Sequence, residues 1–132
     1  MKAEFIELPA FTRAVEESGL SDRWLAVLQE DLLLGRGALY RPRQLAGFHK
    51  KRVPNPARGK GKRGGFRVYY MPYDDLGVIV LALLTDKDVE SNISTEEQKQ
   101  LRALAAELRE EVETYVRGRS RERTRRGGQR GR

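Results

Sequence analysis

The run Val78-Ile79-Val80-Leu81-Ala82-Leu83-Leu84 constrains this chain more than any other feature. It is far too short to span a bilayer and has no polar side to turn to water, so it reads as a strand at the centre of a sheet. A partner precedes it: Phe66-Arg67-Val68-Tyr69-Tyr70-Met71, with Asp74, Asp75 and Gly77 supplying the turn between them. A β-hairpin is therefore the kernel around which the remaining elements must arrange themselves.

Those elements follow from periodicity and punctuation. Phe5, Ile6 and Leu8 predict a short first strand. Pro9 suits a first helical position, where its missing N–H costs nothing, and Phe11, Ala14 and Val15 then repeat at helical spacing up to Gly19. Ser21 is an N-cap residue with Asp22 in the first turn, and Trp24, Leu25, Leu28 and Leu32 form one stripe ending at Gly35 and Gly37. Two helices joined this closely make an αα-hairpin. Residues 45–53 predict a further strand. Residues 54–65 carry two prolines and four glycines, which excludes regular structure there. Ser94 and Glu97 form a capping box, and Leu101, Leu104, Ala105, Leu108, Val112, Tyr115 and Val116 keep helical spacing after it. The expected fold is α+β, in the order βααβββα: an antiparallel sheet with an N-terminal αα-hairpin and a long C-terminal helix. Residues 1–116 form one domain. Residues 117–132 hold only Arg, Gly, Ser, Glu, Thr and Gln and cannot build a core, so composition predicts a basic tail that is disordered when free.

Composition narrows the function. The chain has no cysteine and a single histidine, His49, which excludes a disulfide framework, a thiolate nucleophile and a cysteine- or histidine-rich zinc site. The acidic group Asp86, Asp88 and Glu90 reads as a solvated turn, so neither metal nor cofactor is expected. The first residues, MKAEFIELP, carry acids where a secretory signal needs a positive region and then an apolar one; a cytoplasmic, non-membrane protein is expected. The net charge of +7 equals that of the tail alone, which has eight Arg and one Glu. The body is neutral in sum, yet residues 41–70 hold ten Lys or Arg and no acid. A basic patch on an otherwise acidic domain is the electrostatic footprint of a nucleic-acid binder.

The patch also has a pattern. Lys60, Lys62 and Arg63 lie among glycines, but the stretch leads into a strand, so it is a flexible phosphate-contacting loop and not a P-loop. Strand alternation puts Lys50 and Arg52 on one face and His49 and Lys51 on the other; Arg67 and Tyr69 share a face on the next strand. With the αα-hairpin on the apolar side, Lys50, Arg52, Arg67 and Tyr69 would line an open concave surface, cations for phosphate and a ring for a base to stack on. Attack by a ribose 2′-OH needs a base, an acid and charge stabilisation. Lys and Arg supply the last directly, and a lysine crowded by cations can exchange a proton.

The residues 45–53, Leu-Ala-Gly-Phe-His-Lys-Lys-Arg-Val, and 59–70, Gly-Lys-Gly-Lys-Arg-Gly-Gly-Phe-Arg-Val-Tyr-Tyr, resemble signature segments of HigB-type toxins in the RelE/ParE superfamily. The strand running into Thr85-Asp86-Lys87 and the Ser94-Thr95-Glu96-Glu97 helix start are similar to that family's ending. The resemblance covers nearly all of residues 3–113. It implies a RelE-like, microbial-RNase-like fold and the toxin role of a type II toxin–antitoxin system. The implied activity is that of an mRNA interferase, a ribosome-dependent endoribonuclease that inhibits translation. By position, Lys50, Arg52, Lys62, Arg67 and Lys87 inherit catalytic roles; Lys60, Arg63, Tyr69, His49 and Lys51 are the expected RNA-binding set. Implied partners are a cognate antitoxin with a helix-turn-helix domain, the ribosome and mRNA, and operator DNA only through the antitoxin. This chain departs from the pattern in three places: Thr85-Asp86 stands where many relatives have Tyr-Gly, His49 replaces an arginine, and the Arg-rich tail is additional. Alternatives are a ParE-like gyrase poison, a decayed toxin that only binds a protein partner, and a simple RNA- or DNA-binding module.

Overall fold

The computed structural model describes residues 3–35, 46–56, 65–86 and 94–130. Its elements are β1 (Glu4–Glu7), α1 (Pro9–Glu17), α2 (Asp22–Leu33), β2 (His49–Val53), β3 (Phe66–Tyr73), β4 (Val78–Asp86) and α3 (Thr95–Arg130), with one 3-10 turn, Asp74–Leu76, between β3 and β4. The four strands form one sheet in the order β1-β4-β3-β2. The apolar run lies in β4, an inner strand with a neighbour on each side.

The sheet is mixed, not antiparallel. β2–β3 and β3–β4 are antiparallel, but β1 lies parallel to β4, with Glu4 opposite Val78 and Glu7 opposite Leu81. The αα-hairpin is the reason: two helices carry the chain from the end of β1 across a face of the sheet before it re-enters as β2. β2 also starts later than residue 45, because Ala46 (φ 52°) and Gly47 (φ 97°) adopt left-handed turn geometry just before it. β3 runs on to Tyr73 through Pro72. Pro72 lies beyond the last β2 partner, where one flank of β3 has no ladder to lose.

Both faces of the sheet are covered. On one, Phe11 and Leu28, from α1 and α2, pack with Phe66, Val68, Tyr70, Ile79, Leu81 and Leu84. On the other, Leu101, Leu108 and Val112 of α3 pack with Tyr69, Tyr73, Val78, Val80 and Ala82. α2 begins at Ser21, whose Oγ accepts from the Trp24 N–H. α3 begins with the capping box, where the Glu97 N–H donates to Ser94 Oγ and the Ser94 N–H donates to Glu97 Oε1, both at 3.1 Å. The α3 backbone continues through residues 117–130, where composition predicts disorder. Arginine is a good helix former, and extending a capped, docked helix needs no new nucleus.

α3 is clamped at two further points. Arg109 donates to both carboxylate oxygens of Asp75, in the β3–β4 turn, and lies 5.5 Å from the Tyr73 ring centroid. Near the other end, Tyr115 donates to Glu4 of β1 at 2.5 Å, and Arg119 pairs with the same carboxylate.

Candidate nucleic-acid interface

The β2–β3 register decides which basic side chains meet. Lys50 is opposite Tyr69 and Arg52 opposite Arg67, so these four share the face that α3 covers. His49 is opposite Tyr70 and Lys51 opposite Val68, on the face of α1 and α2. His49 is buried, its ring 5.2 Å from that of Tyr70. It stands on the far side of the sheet from Lys50 and Arg52 and does not join them.

An irregularity in β4 adds a residue to the cluster. Tyr69 is opposite Leu83 and Tyr70 opposite Leu81, so Ala82 has no opposite number. Strict alternation from Val78 would put Thr85 on the α1–α2 face. The extra residue shifts the phase by one, turns both Ala82 and Leu83 toward the α3 side, and sets Thr85 opposite Arg67. A row Arg52–Arg67–Thr85 therefore crosses three strands on one face.

The row passes from solvent at Arg52 to the interior at Arg67 and back to half-buried at Thr85. Arg52 is exposed, Lys50 half-buried and Arg67 only 5% exposed. Tyr69 is 1% exposed. The open concave surface expected from strand alternation is not what forms: the N-terminal part of α3 closes over it, and Tyr69 has no ring face for a base. Its hydroxyl is instead hydrogen-bonded to Arg67 and Thr85, with the Glu97 carboxylate near enough to act on it. Burial raises the Tyr69 phenol above its usual value, outweighing the opposing pull of Arg67, so at neutral pH it is an uncharged phenol. Buried guanidinium groups need partners, and here the phenol is one of them. Thus Arg67 and Tyr69 form a hydrogen-bonded unit behind Lys50 and Arg52, which hold the outer positions. Beside Glu97, a cleft of about 240 Å³ runs between Leu8, Ala82, Leu83, Leu101 and Leu104; it is apolar and carries none of the cations.

Lys60, Lys62, Arg63 and Lys87 lie outside the described residues, as does the part of the basic loop from 57 to 64. Gly65, where the described chain resumes, has φ 120°, and a β-carbon there would meet the Val53 carbonyl oxygen at 2.6 Å. The backbones leaving β2 and entering β3 are thus in close contact at the foot of that loop. Thr85 and Glu97 are the members of the cluster that residue-by-residue reading overlooks. The Glu97 carboxylate was legible as a cap but not as a neighbour of Tyr69, and nothing in the apolar run marks its extra residue.

Among the described residues no three His, Cys, Asp or Glu side chains come together as a metal-binding group, and no helix is long and apolar enough to cross a membrane. The chain matches no known family model.

Proposed function

We propose that this protein is the toxin of a type II toxin–antitoxin pair, of the RelE/HigB kind, and cleaves mRNA on the ribosome. The observation that carries the reading is the cross-strand row Arg52–Arg67–Thr85 with Lys50 and Tyr69 beside it. Cleavage through the ribose 2′-OH moves a proton from the 2′ oxygen, forms a bond from that oxygen to phosphorus, and expels the 5′ oxygen, which must gain a proton. Negative charge accumulates on the phosphoryl oxygens meanwhile, and fixed cations lower that barrier. Arg52 and Lys50 contact the phosphate from the outer strand. Lys50, as its neutral amine, takes the 2′-OH proton and, as the resulting ammonium, returns it to the departing 5′ oxygen, an exchange a guanidinium cannot make. Arg67 is a positioning residue: hydrogen-bonded to Tyr69, whose hydroxyl also bonds Thr85, it adds positive charge behind the pair. The cognate antitoxin carries a helix-turn-helix domain, and operator DNA is met through it.

A second reading has its own support. Arg67 and Tyr69 are buried and Thr85 stands in place of the family's tyrosine, an arrangement that also suits a relative which only binds a protein partner. One experiment separates the two. The chain is induced alone in a bacterial host and mRNA 5′ ends are mapped, beside a Lys50→Ala/Arg52→Ala double variant whose outer positions leave the core intact. Growth arrest with new cuts inside translated frames, both lost in the variant, supports the nuclease. Arrest with intact mRNA refutes it and favours the protein-binding relative.

A further inference from the structure

β1 is an end strand of the sheet: β4 pairs with it on one side, and among the described residues no strand pairs with it on the other. The Glu4 N–H donates to the Gly77 carbonyl and the Leu8 N–H to the Leu81 carbonyl, each at 2.9 Å. Residues 4, 6 and 8 therefore turn their backbone groups toward β4. Successive residues of a strand turn opposite ways, so Phe5 and Glu7 direct their N–H and C=O groups outward. Among the described residues nothing hydrogen-bonds those groups. Such an edge is a template for another strand unless Lys, Pro or a bulge blunts it, and Glu4-Phe5-Ile6-Glu7 has none of these. Its charged residues are Glu4 and Glu7, which repel an acidic strand and attract a basic one.

A groove of about 350 Å³ runs along this edge, between β1 and α3. Ile6, Leu8, Leu108 and Val112 make it apolar, and the exposed Glu111 and Tyr115 form part of its wall. Side chains of a strand added beside β1 would alternate. Those level with Glu4, Ile6 and Leu8 enter the groove; those level with Phe5 and Glu7 fall on the α1–α2 side. Arg119 pairs with Glu4, but Glu7 and Glu111 are in no ion pair among the described residues, so the edge carries uncompensated negative charge.

We propose that the β1 edge takes up, as a fifth strand, an extended segment of a second protein in which apolar residues alternate with Lys or Arg. The apolar side chains fill the groove against α3. The basic ones lie over Phe5 and pair with Glu7, and the main chain bonds the outward groups of Phe5 and Glu7. Charge and backbone together choose this occupant. A second copy pairing through its own β1 would set glutamate against glutamate. A docked helix could fill the groove but would leave the outward N–H and C=O groups of β1 unpaired, since a helix spends its own backbone internally. β1 and β2 are opposite ends of the sheet, so this site is separate from the Lys50–Arg52 site and does not depend on the mRNA-cutting reading.

The test uses the full chain and a capped peptide of alternating valine and arginine. Amide hydrogen exchange is followed by NMR with and without excess peptide. The Phe5 and Glu7 amides should slow at least tenfold, while those of Glu4, Ile6 and Leu8, already turned to β4, should change less than twofold. Two control peptides are titrated beside the first. One is N-methylated at alternate residues, which keeps its charge and removes the donors of one edge; the other has glutamate in place of arginine. Each should bind at least tenfold more weakly. Glu111→Lys, at an exposed position, should weaken the valine–arginine peptide severalfold at low salt and less at high salt. No binding, even slowing of all five amides, or equal affinity for the methylated peptide overturns strand addition. Equal affinity for the glutamate peptide, or no effect of Glu111→Lys, overturns the basic occupant. Self-association of the chain in sedimentation velocity, abolished by the peptide, overturns the second protein in favour of a second copy. None of these readouts involves mRNA 5′ ends, so failure here and failure of the nuclease are told apart.

Discussion

Replacing Tyr69 by Phe removes one hydroxyl from the centre of the candidate site. The ring is 1% exposed and Phe fills the same space, so no cavity forms. What is lost is the hydrogen bonding of that hydroxyl with Arg67 and Thr85. Arg67 is itself only 5% exposed, so water cannot readily take the vacated position. Loss of a hydrogen bond to a buried charged group costs about 1.5–3 kcal/mol. At about 2 kcal/mol the folding equilibrium falls roughly 30-fold, and Tm falls by about 7 °C for a chain of this length. Alkaline pH gives a second signature. Burial raises the Tyr69 phenol above 10.0, so as pH rises the unfolded chain loses this proton first. The stability linked to it is intact below about pH 10 and is lost as pH climbs through the higher folded value. Tyr73 is raised in the same direction by burial, so Tyr69→Phe should shrink the alkaline loss without abolishing it. Urea melts of both proteins between pH 7 and pH 11 measure both effects. A variant within about 0.5 kcal/mol of wild type at pH 7, with the same alkaline slope, refutes the Arg67–Tyr69 unit.

Leu108→Ala, which opens a cavity under α3 in the core cluster around Tyr69, should cost about 2–5 kcal/mol in a denaturant melt. Gly65→Ala should destabilise by more than about 1–3 kcal/mol, because the residue would combine a positive φ with a contact of 2.6 Å to backbone, and native-state hydrogen exchange should rise along the β2–β3 ladder. Arg109 holds the Asp75 carboxyl below its usual 3.8. That contribution is present above 3.8 and is lost as pH falls through the lower folded value, so urea midpoints should drop on acidification and Asp75→Asn should remove part of the drop. Ser94→Ala should lower stability by about 1 kcal/mol and fray the first turn of α3 in circular dichroism and exchange measurements.

The hairpin kernel, the helix starts at Pro9 and Ser21 and the Ser94–Glu97 box were legible because each rests on a local rule: alternation, a fixed φ, a side-chain cap. The sharing of one face by Lys50, Arg52, Arg67 and Tyr69 was legible for the same reason. Three things were not. The parallel pairing of β1 with β4 joins residues far apart in the chain, and neither strand alone encodes its direction. The extra residue at Ala82 hides in a run where every side chain is apolar, so no polar residue marks the change of phase. The third is the cover over Arg67 and Tyr69. Apolar positions on α3 from Leu101 to Val112 announce a buried stripe without naming the surface that buries it, and the expected open face was the result of leaving that stripe unassigned.

The Glu4–Tyr115 contact, between residues 111 apart, has a consequence for the order in which the molecule assembles on the ribosome that makes it. The α1–α2 side of the sheet draws on residues up to Leu84, and its packing can form while later residues are still being added. The α3 side cannot: Tyr69 and the residues around it have no cover until the stretch from Leu101 to Val112 has cleared the exit tunnel. β1, an edge strand laddered to β4, gains its second fastening only when Tyr115 and Arg119 arrive. The Arg67–Tyr69–Thr85 cluster therefore matures only after the α1–α2 side, and a nascent chain stalled before α3 would hold the cations of the site without their arrangement.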